Sequence, residues 1–227
     1  MAASPSASGA RVVGVGEAAG PGARHAHGIA QSPPRLPDDL RRLVGARSRQ
    51  QQHHLVPGRG TRLKGHADAI ALLANLRASG IDARLWMPGA LQDGREAYLA
   101  ELEDLVRVAD VEDAVAITEA TDDIAGAYAA SDLVLQLSRK PESFGRTVIE
   151  ALSVGRPALG WAHGGVGELL QVLQPAGAVA PFDITALASA ARNLLAHPPA
   201  PVATMQAYRL DAMQEATLAL YQSLVDA

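Results

Sequence analysis

From Gln52 onward the chain alternates short apolar runs with longer amphipathic stretches, a texture absent before it. The runs of strand length are His54 to Pro57, Arg84 to Met87, Val115 to Thr118, Leu133 to Leu137, Ala158 to Trp161 and Ala178 to Ala180. Apolar residues recur at helical spacing over His66 to Ala78, Arg95 to Val108, Ile124 to Ala130, Thr147 to Val154, Val166 to Leu173 and Ile184 to Ala196. A last helix is predicted through Pro201 to Val225. Thr121, ahead of Asp122-Asp123, and Asp183, ahead of Ile184, suit helix N-caps, because a short side-chain oxygen can accept a free backbone N–H. Strand and helix in alternation predict an α/β fold, a doubly wound Rossmann-like parallel sheet of about six strands covered on both faces. Ligands of such sheets bind beyond the carboxyl ends of the strands.

Composition then divides the chain. Up to Pro57 it holds 7 arginines and 3 acids, a charge of +4; the remainder holds 13 basic and 21 acidic residues, −8, which together give the net −4. The first segment is rich in Ala, Ser, Gly, Pro and Arg, and a basic, core-poor stretch of that kind reads as disordered. The abrupt change near Pro57 suggests a non-native reading frame or a truncated gene start joined to a genuine domain. The expected organisation is therefore an arm over 1–57 and a folded domain over 58–227. Gly14-Val15-Gly16-Glu17-Ala18-Ala19-Gly20 is spaced one residue too long for a dinucleotide fingerprint, and no helix pattern follows it. His25, His27, His53 and His54 lack acidic or cysteine partners at ligand spacing and read as part of the arm, not as a metal site.

The net charge of −4 leaves no footprint for nucleic acid. The absence of cysteine excludes disulfides and thiolate metal sites and fits a reducing compartment. No apolar run is long enough for a membrane span, and the N-terminus lacks the basic-then-apolar order of a secretory signal. A cytoplasmic protein is expected.

The chemistry concentrates in Pro141 to Ala151, PESFGRTVIEA. Glu142 falls in a loop after an apolar strand, and Glu150 falls on the following helix. The free N–H groups and partial positive charge at a helix start suit a phosphate. Eight helical residues rise roughly 12 Å, the separation of ribose and sugar in a nucleotide-diphosphate sugar. One carboxylate could hold each sugar, with the diphosphate between them. Gly58-Arg59-Gly60-Thr61-Arg62-Leu63-Lys64-Gly65-His66 follows the first strand. Its Arg59 and Lys64 could neutralise a diphosphate leaving group as charge develops, although the loop alone reads equally as a solvated basic turn.

E-S-F-G-x-x-x-x-E, followed by Ala-Leu-Ser-Val-Gly-Arg-Pro over 151–157, resembles the E-x7-E signature of the family 4 (group 1) retaining glycosyltransferases. These are two-domain enzymes of the glycosyltransferase-B fold. G-R-x-x-x-x-K-G resembles the segment whose Arg and Lys grip the diphosphate, with Gly60 departing from a usually apolar position; Arg62 reads as a solvated neighbour. The resemblance covers about 58–227 and implies the donor-binding half. It implies catalytic roles for Arg59, Lys64 and Glu142, and donor binding by Gly58, Gly89, Ser143, Phe144, Gly145 and Glu150. Glu142 would meet the transferred sugar and Glu150 the ribose. The base would lie near residues 118–124, after which Glu119-Ala120 matches the family less well. Arg139 and Lys140 read as donor contacts or rim charges, and Glu168, in His163-Gly164-Gly165-Val166-Gly167-Glu168, as a capping residue.

The implied reaction moves a sugar from a nucleotide sugar to a glycan or lipid-linked acceptor with retention and without a metal or other cofactor. Peripheral membrane association fits a lipid-linked acceptor. The family's N-terminal acceptor domain has no counterpart in residues 1–57, so a missing domain or separate subunit is implied. Leu210, Met213, Leu218, Leu220, Tyr221 and Leu224 of the last helix would then be left exposed. The alternative is a non-catalytic nucleotide-sugar-binding module acting with another subunit. A receiver or flavodoxin-like domain would need acidic clusters or flavin-stacking aromatics that the sequence lacks, and no carboxylate pair resembles that of a glycoside hydrolase.

Overall fold

The apolar strands Leu133–Gln136 and Ala158–Trp161 are buried along their whole length, as a sheet covered on both faces requires. The computed structural model describes residues 51–202 and 205–225. In chain order the elements are β1 (Gln52–Leu55), α1 (His66–Ala78), β2 (Ala83–Pro88), α2 (Glu96–Val108), β3 (Val115–Thr118), α3 (Ile124–Ala130) and β4 (Leu133–Gln136). They continue with α4 (Arg146–Ser153), β5 (Ala158–Trp161), α5 (Gly164–Leu173), β6 (Ala178–Val179), α6 (Ile184–Ala196) and α7 (Leu210–Val225). The strands run β3-β2-β1-β4-β5-β6, and every pairing is parallel. The chain winds outward from β1 to β3, then restarts beside β1 at β4. The switch point thus lies between β1 and β4, where two loops diverge and leave a crevice.

Two apolar layers cover the sheet. On one face α1, α2 and α6 bury Leu72, Leu73, Leu102 and Leu187. On the other, α3, α4 and α5 bury Tyr128, Val148, Leu152 and Leu170. Along β1 and its extension, consecutive Leu55 and Val56 enter opposite layers, as strand alternation requires. Asp183 accepts the Ala186 amide as expected of a cap, at 2.8 Å.

Several expectations are corrected. His53 and His54 belong to β1, the central strand, and are 7% and 2% exposed. The first strand, expected from His54, starts at Gln52, so neither histidine belongs to an arm; neutral imidazoles can be buried, and burial pushes the His54 pKa down to about 4. Asp132 fixes the strand through its side chain and its backbone: the His53 amide donates to Asp132 Oδ2 at 2.8 Å, and the Asp132 amide to the His53 carbonyl at 2.7 Å. The sheet therefore begins ahead of residue 58. The cap of α3 is Asp123, which accepts the Gly126 amide at 2.8 Å; Thr121 instead accepts the Asp123 amide. The last helix starts at Leu210, not Pro201, after a 3-10 turn over Gln206–Tyr208. The calls on Gly14 to Gly20, His25 and His27 lie outside the described residues. No helix among the described residues is long and apolar enough to cross a membrane.

Candidate functional site

Two loops meet at the switch point. The loop after β1 carries the 3-10 turn Arg62–Lys64, and the loop after β4 carries Ser138 to Gly145. Arg139 ties them together, its amide donating to the Leu63 carbonyl at 2.8 Å. Gly65, with φ +75°, ends the turn and starts α1 with its Cα against the Leu137 carbonyl, where any side chain would collide. Lys64 is thereby brought to the opposite wall. Its Nζ donates to Glu142 Oε1 at 2.6 Å.

Glu142 has two further donors. Ser138 Oγ donates to Oε1 and Gln136 Nε2 to Oε2, the latter at 2.9 Å. Burial alone would raise the Glu142 pKa; the bonds from Lys64, Ser138 and Gln136 outweigh it and hold the carboxyl below its ordinary range. Sequence reasoning missed Gln136 and Ser138 in this role. The signal for Gln136 was present: a lone amide inside the apolar run DLVLQLS has to find a partner.

Beyond Glu142 the chain enters α4. Among the described residues no acceptor takes the amides of Ser143, Phe144 or Gly145, and α4 has no side-chain cap. N–H groups without a protein acceptor at a helix start are what an anion needs. Gly164 and Gly165 pack under this turn; the Gly165 amide donates to the Glu142 carbonyl at 2.7 Å, and a methyl group on Gly165 would fall 2.6 Å from the Phe144 carbonyl oxygen. Only four of the eight steps from Glu142 to Glu150 are helical, so the 12 Å helical separation does not hold; the helical part rises about 6 Å.

Glu150 lies one turn into α4 with its side chain 33% exposed. Tyr128 Oη donates to its Oε2 at 2.9 Å, and Arg146 Nε approaches Oε1 at 3.0 Å. Tyr128 is a third residue that the sequence did not reveal, since a tyrosine in an apolar helix face reads as core.

Other expected residues fall around this centre. The Gly58 amide donates to the Pro88 carbonyl at 3.1 Å and the Gly89 amide to the Thr118 carbonyl at 2.9 Å, so both glycines stitch neighbouring loops together. Arg59 is exposed, and among the described residues no carboxylate pairs with it. Gly60 does not loosen its loop: it is buried against the Ala90 carbonyl, with no space for a side chain. Arg62 is engaged at the surface by Glu101, with its guanidinium 5.6 Å from the centre of the Tyr98 ring. Arg139 is paired with Asp68 at 2.6 Å and stacks over Phe182 at 4.8 Å, while Lys140 is exposed. His163 Nε2 lies 2.9 Å from the Ser138 carbonyl oxygen. Glu168 is exposed and does not cap α5, which starts at Gly164 with His163 as N-cap and no side-chain cap. Among the described residues no three His, Cys, Asp or Glu side chains are grouped to hold a metal ion.

A parallel sheet with a cation, a carboxylate and an uncapped helix start at its switch point defines a Rossmann-like half of the glycosyltransferase-B fold. The chain belongs to the group 1 glycosyltransferases: residues 45–210 match the family model "Glycosyl transferases group 1". Among solved structures, a glycosyltransferase from Rickettsia africae ESF-5 is similar at TM-score 0.68 and 20% identity, over 84% of this chain and 52% of that one. HepE of Anabaena, solved with UDP and glucose, is similar at TM-score 0.67 and 23% identity, over 83% and 52%. Sucrose-phosphate synthase of Thermosynechococcus elongatus is similar at TM-score 0.67 and 26% identity, over 84% and 49%. The chain thus spans about half the length of these structures. No curated protein shows a significant match.

Proposed function

We propose that this chain is the donor-binding domain of a retaining glycosyltransferase, acting on a nucleotide-diphosphate sugar and a glycan or lipid-linked acceptor. The observation that carries the reading is the meeting of Lys64 and Glu142 at 2.6 Å beside the free amides of Ser143 to Gly145. A cation and free N–H groups suit a diphosphate, and a carboxylate suits sugar hydroxyls. Glu150 would accept the ribose hydroxyls. Arg59, exposed at the mouth, would close on the phosphates with the donor bound.

In the proposed reaction the bond between the anomeric carbon and the departing phosphate oxygen breaks. The acceptor oxygen bonds to that carbon from the same face, and its proton passes to the departing phosphate. Lys64 and the α4 amides stabilise the charge that develops on the leaving group, and Glu142 orients the sugar. This scheme requires no metal or cofactor. The same reading takes the protein to act in the cytoplasm, with peripheral membrane contact where the acceptor is lipid-linked.

A second reading, a non-catalytic nucleotide-sugar-binding module that works with another subunit, draws on one observation. Helix α7 leaves Leu210, Leu218 and Tyr221 exposed, an apolar face that a partner could cover. Calorimetric titration with UDP, GDP and ADP, and with their glucose derivatives, tests both readings at the donor site. Saturable binding of one nucleotide, lost in Lys64→Ala and Glu150→Ala, supports the site. A folded chain that binds none of them sinks it. Turnover of the bound donor then separates enzyme from module.

A further inference from the structure

The E-x7-E carboxylates are usually weighed alone, but Glu150 does not stand alone. A glutamate on a helix surface samples many rotamers, and a carboxylate that must accept two adjacent hydroxyls benefits from being held in one. Tyr128 supplies that restraint. Its residue is 2% exposed, and its Oη donates to Glu150 Oε2 at 2.9 Å from the neighbouring helix α3. Burial first, then the bond to Glu150 and its charge, push the tyrosine pKa up, so Oη remains a donor across the whole assay range. The other Glu150 contact is different in kind. Arg146 approaches Oε1 from a side chain that is 83% exposed, so water or a ligand hydroxyl can replace it.

We propose that Tyr128 is a positioning residue for ribose recognition: its buried hydroxyl fixes the Glu150 carboxylate so that the remaining lone pairs face the 2′- and 3′-hydroxyls of the nucleotide. The proposal rests on the reading of Glu150 as the ribose contact. Packing alone does not account for the hydroxyl. A phenylalanine would fill the same apolar layer of Val134, Val148 and Leu152 and would leave Glu150 free to swing.

The test compares, on the full chain, the nucleoside diphosphate among UDP, GDP and ADP that binds best with its 2′,3′-dideoxy counterpart. The wild-type protein should prefer the ribonucleotide by about tenfold, the scale of one hydrogen bond to a charged group. In Tyr128→Phe that preference should collapse, while affinity for the 2′,3′-dideoxynucleotide stays at the wild-type value. Unchanged dideoxynucleotide affinity also reports that the variant's site is folded. Arg146→Ala should keep the preference. The proposal is overturned if Tyr128→Phe weakens both ligands equally, if it retains the preference, or if Arg146→Ala alone abolishes it. Failure of the underlying reading shows earlier and elsewhere, as a wild-type protein that binds no nucleoside diphosphate or binds the two forms alike.

Discussion

Lys64 and Glu142 are 78 residues apart in the chain, and their charged atoms meet at 2.6 Å across the switch-point crevice. Each is expected to serve a different part of the donor, the lysine its phosphates and the glutamate its sugar. With each other as partners, the two charges neutralise the empty site. On the proposed reading, a bare nucleoside diphosphate would displace Glu142 from Lys64 and leave that carboxylate with Ser138 and Gln136. A full donor supplies hydroxyls in return.

Glu142→Gln should therefore bind free nucleoside diphosphate more tightly than the wild type, by about three- to tenfold, because a competing anion has been removed. The same variant should lose its preference for the sugar-bearing donor. Isothermal titration with the two ligands measures both. Weaker binding of the free diphosphate in Glu142→Gln would show that the pair is not displaced.

Lys64→Ala acts on the opposite partner. Diphosphate affinity should fall by roughly a hundredfold, the scale of one charge-assisted contact in a partly dry site, while affinity for the phosphate-free nucleoside is unchanged. The variant should also unfold about 1–2 kcal/mol more easily, since Glu142 keeps its burial and loses its cation. Equal losses for nucleoside and diphosphate would place Lys64 away from the phosphates.

Most of the fold was legible because periodicity and caps agreed. The helices His66–Ala78, Ile124–Ala130 and Ile184–Ala196 follow the pattern residue for residue. Strand β1 was harder to read, since only Leu55 and Val56 are apolar, and two histidines masked a buried central strand. Propensity does not show that an imidazole will be buried neutral. The sheet around it decides that.

The site was legible where the chemistry lies in one stretch of chain, as with Glu142, Ser143 to Gly145 and Glu150. Their neighbours are supplied by tertiary contact from elements that carry no local signal. Tyr128 on α3 and Asp68 on α1 are such neighbours, and the sequence alone singles out neither. Arg139 could not be resolved between donor contact and rim charge because its partners, Asp68 and Phe182, lie 71 and 43 positions away.

The exposed face of α7 makes a separate prediction. Leu218 and Leu224 are both 67% exposed. Changing both to serine should leave stability within about 0.5 kcal/mol for each substitution, as at ordinary surface sites. It should also lower self-association, because contiguous apolar side chains in water drive it. Thermal unfolding and light scattering check the pair of effects. A fall of several degrees in Tm would mean that α7 is packed in solution.

Acid should destabilise the protein well before its carboxylates titrate. His54 and His66 are both lowered to about 4, in each case first by burial; Asp132 partly opposes this at His54, and Lys64 adds to it at His66. The unfolded chain protonates these rings near pH 6.5, whereas the folded chain resists until about 4. Between those values the unfolded state binds more protons, so stability falls as pH falls. Each histidine contributes roughly 3 kcal/mol at most to that loss, at 1.36 kcal/mol per pKa unit. Glu142, held below its ordinary range, adds a second phase at lower pH. Its stabilisation is full above the unfolded glutamate value of about 4.3 and is lost as pH falls through the depressed value. His54→Phe removes one titrating ring, and with it an Nε2 that has no hydrogen-bond partner among the described residues. Urea unfolding of that variant between pH 7 and 4 should show a slope in stability smaller by about one proton. An unchanged slope would mean that His54 is already protonated and paired in the folded protein.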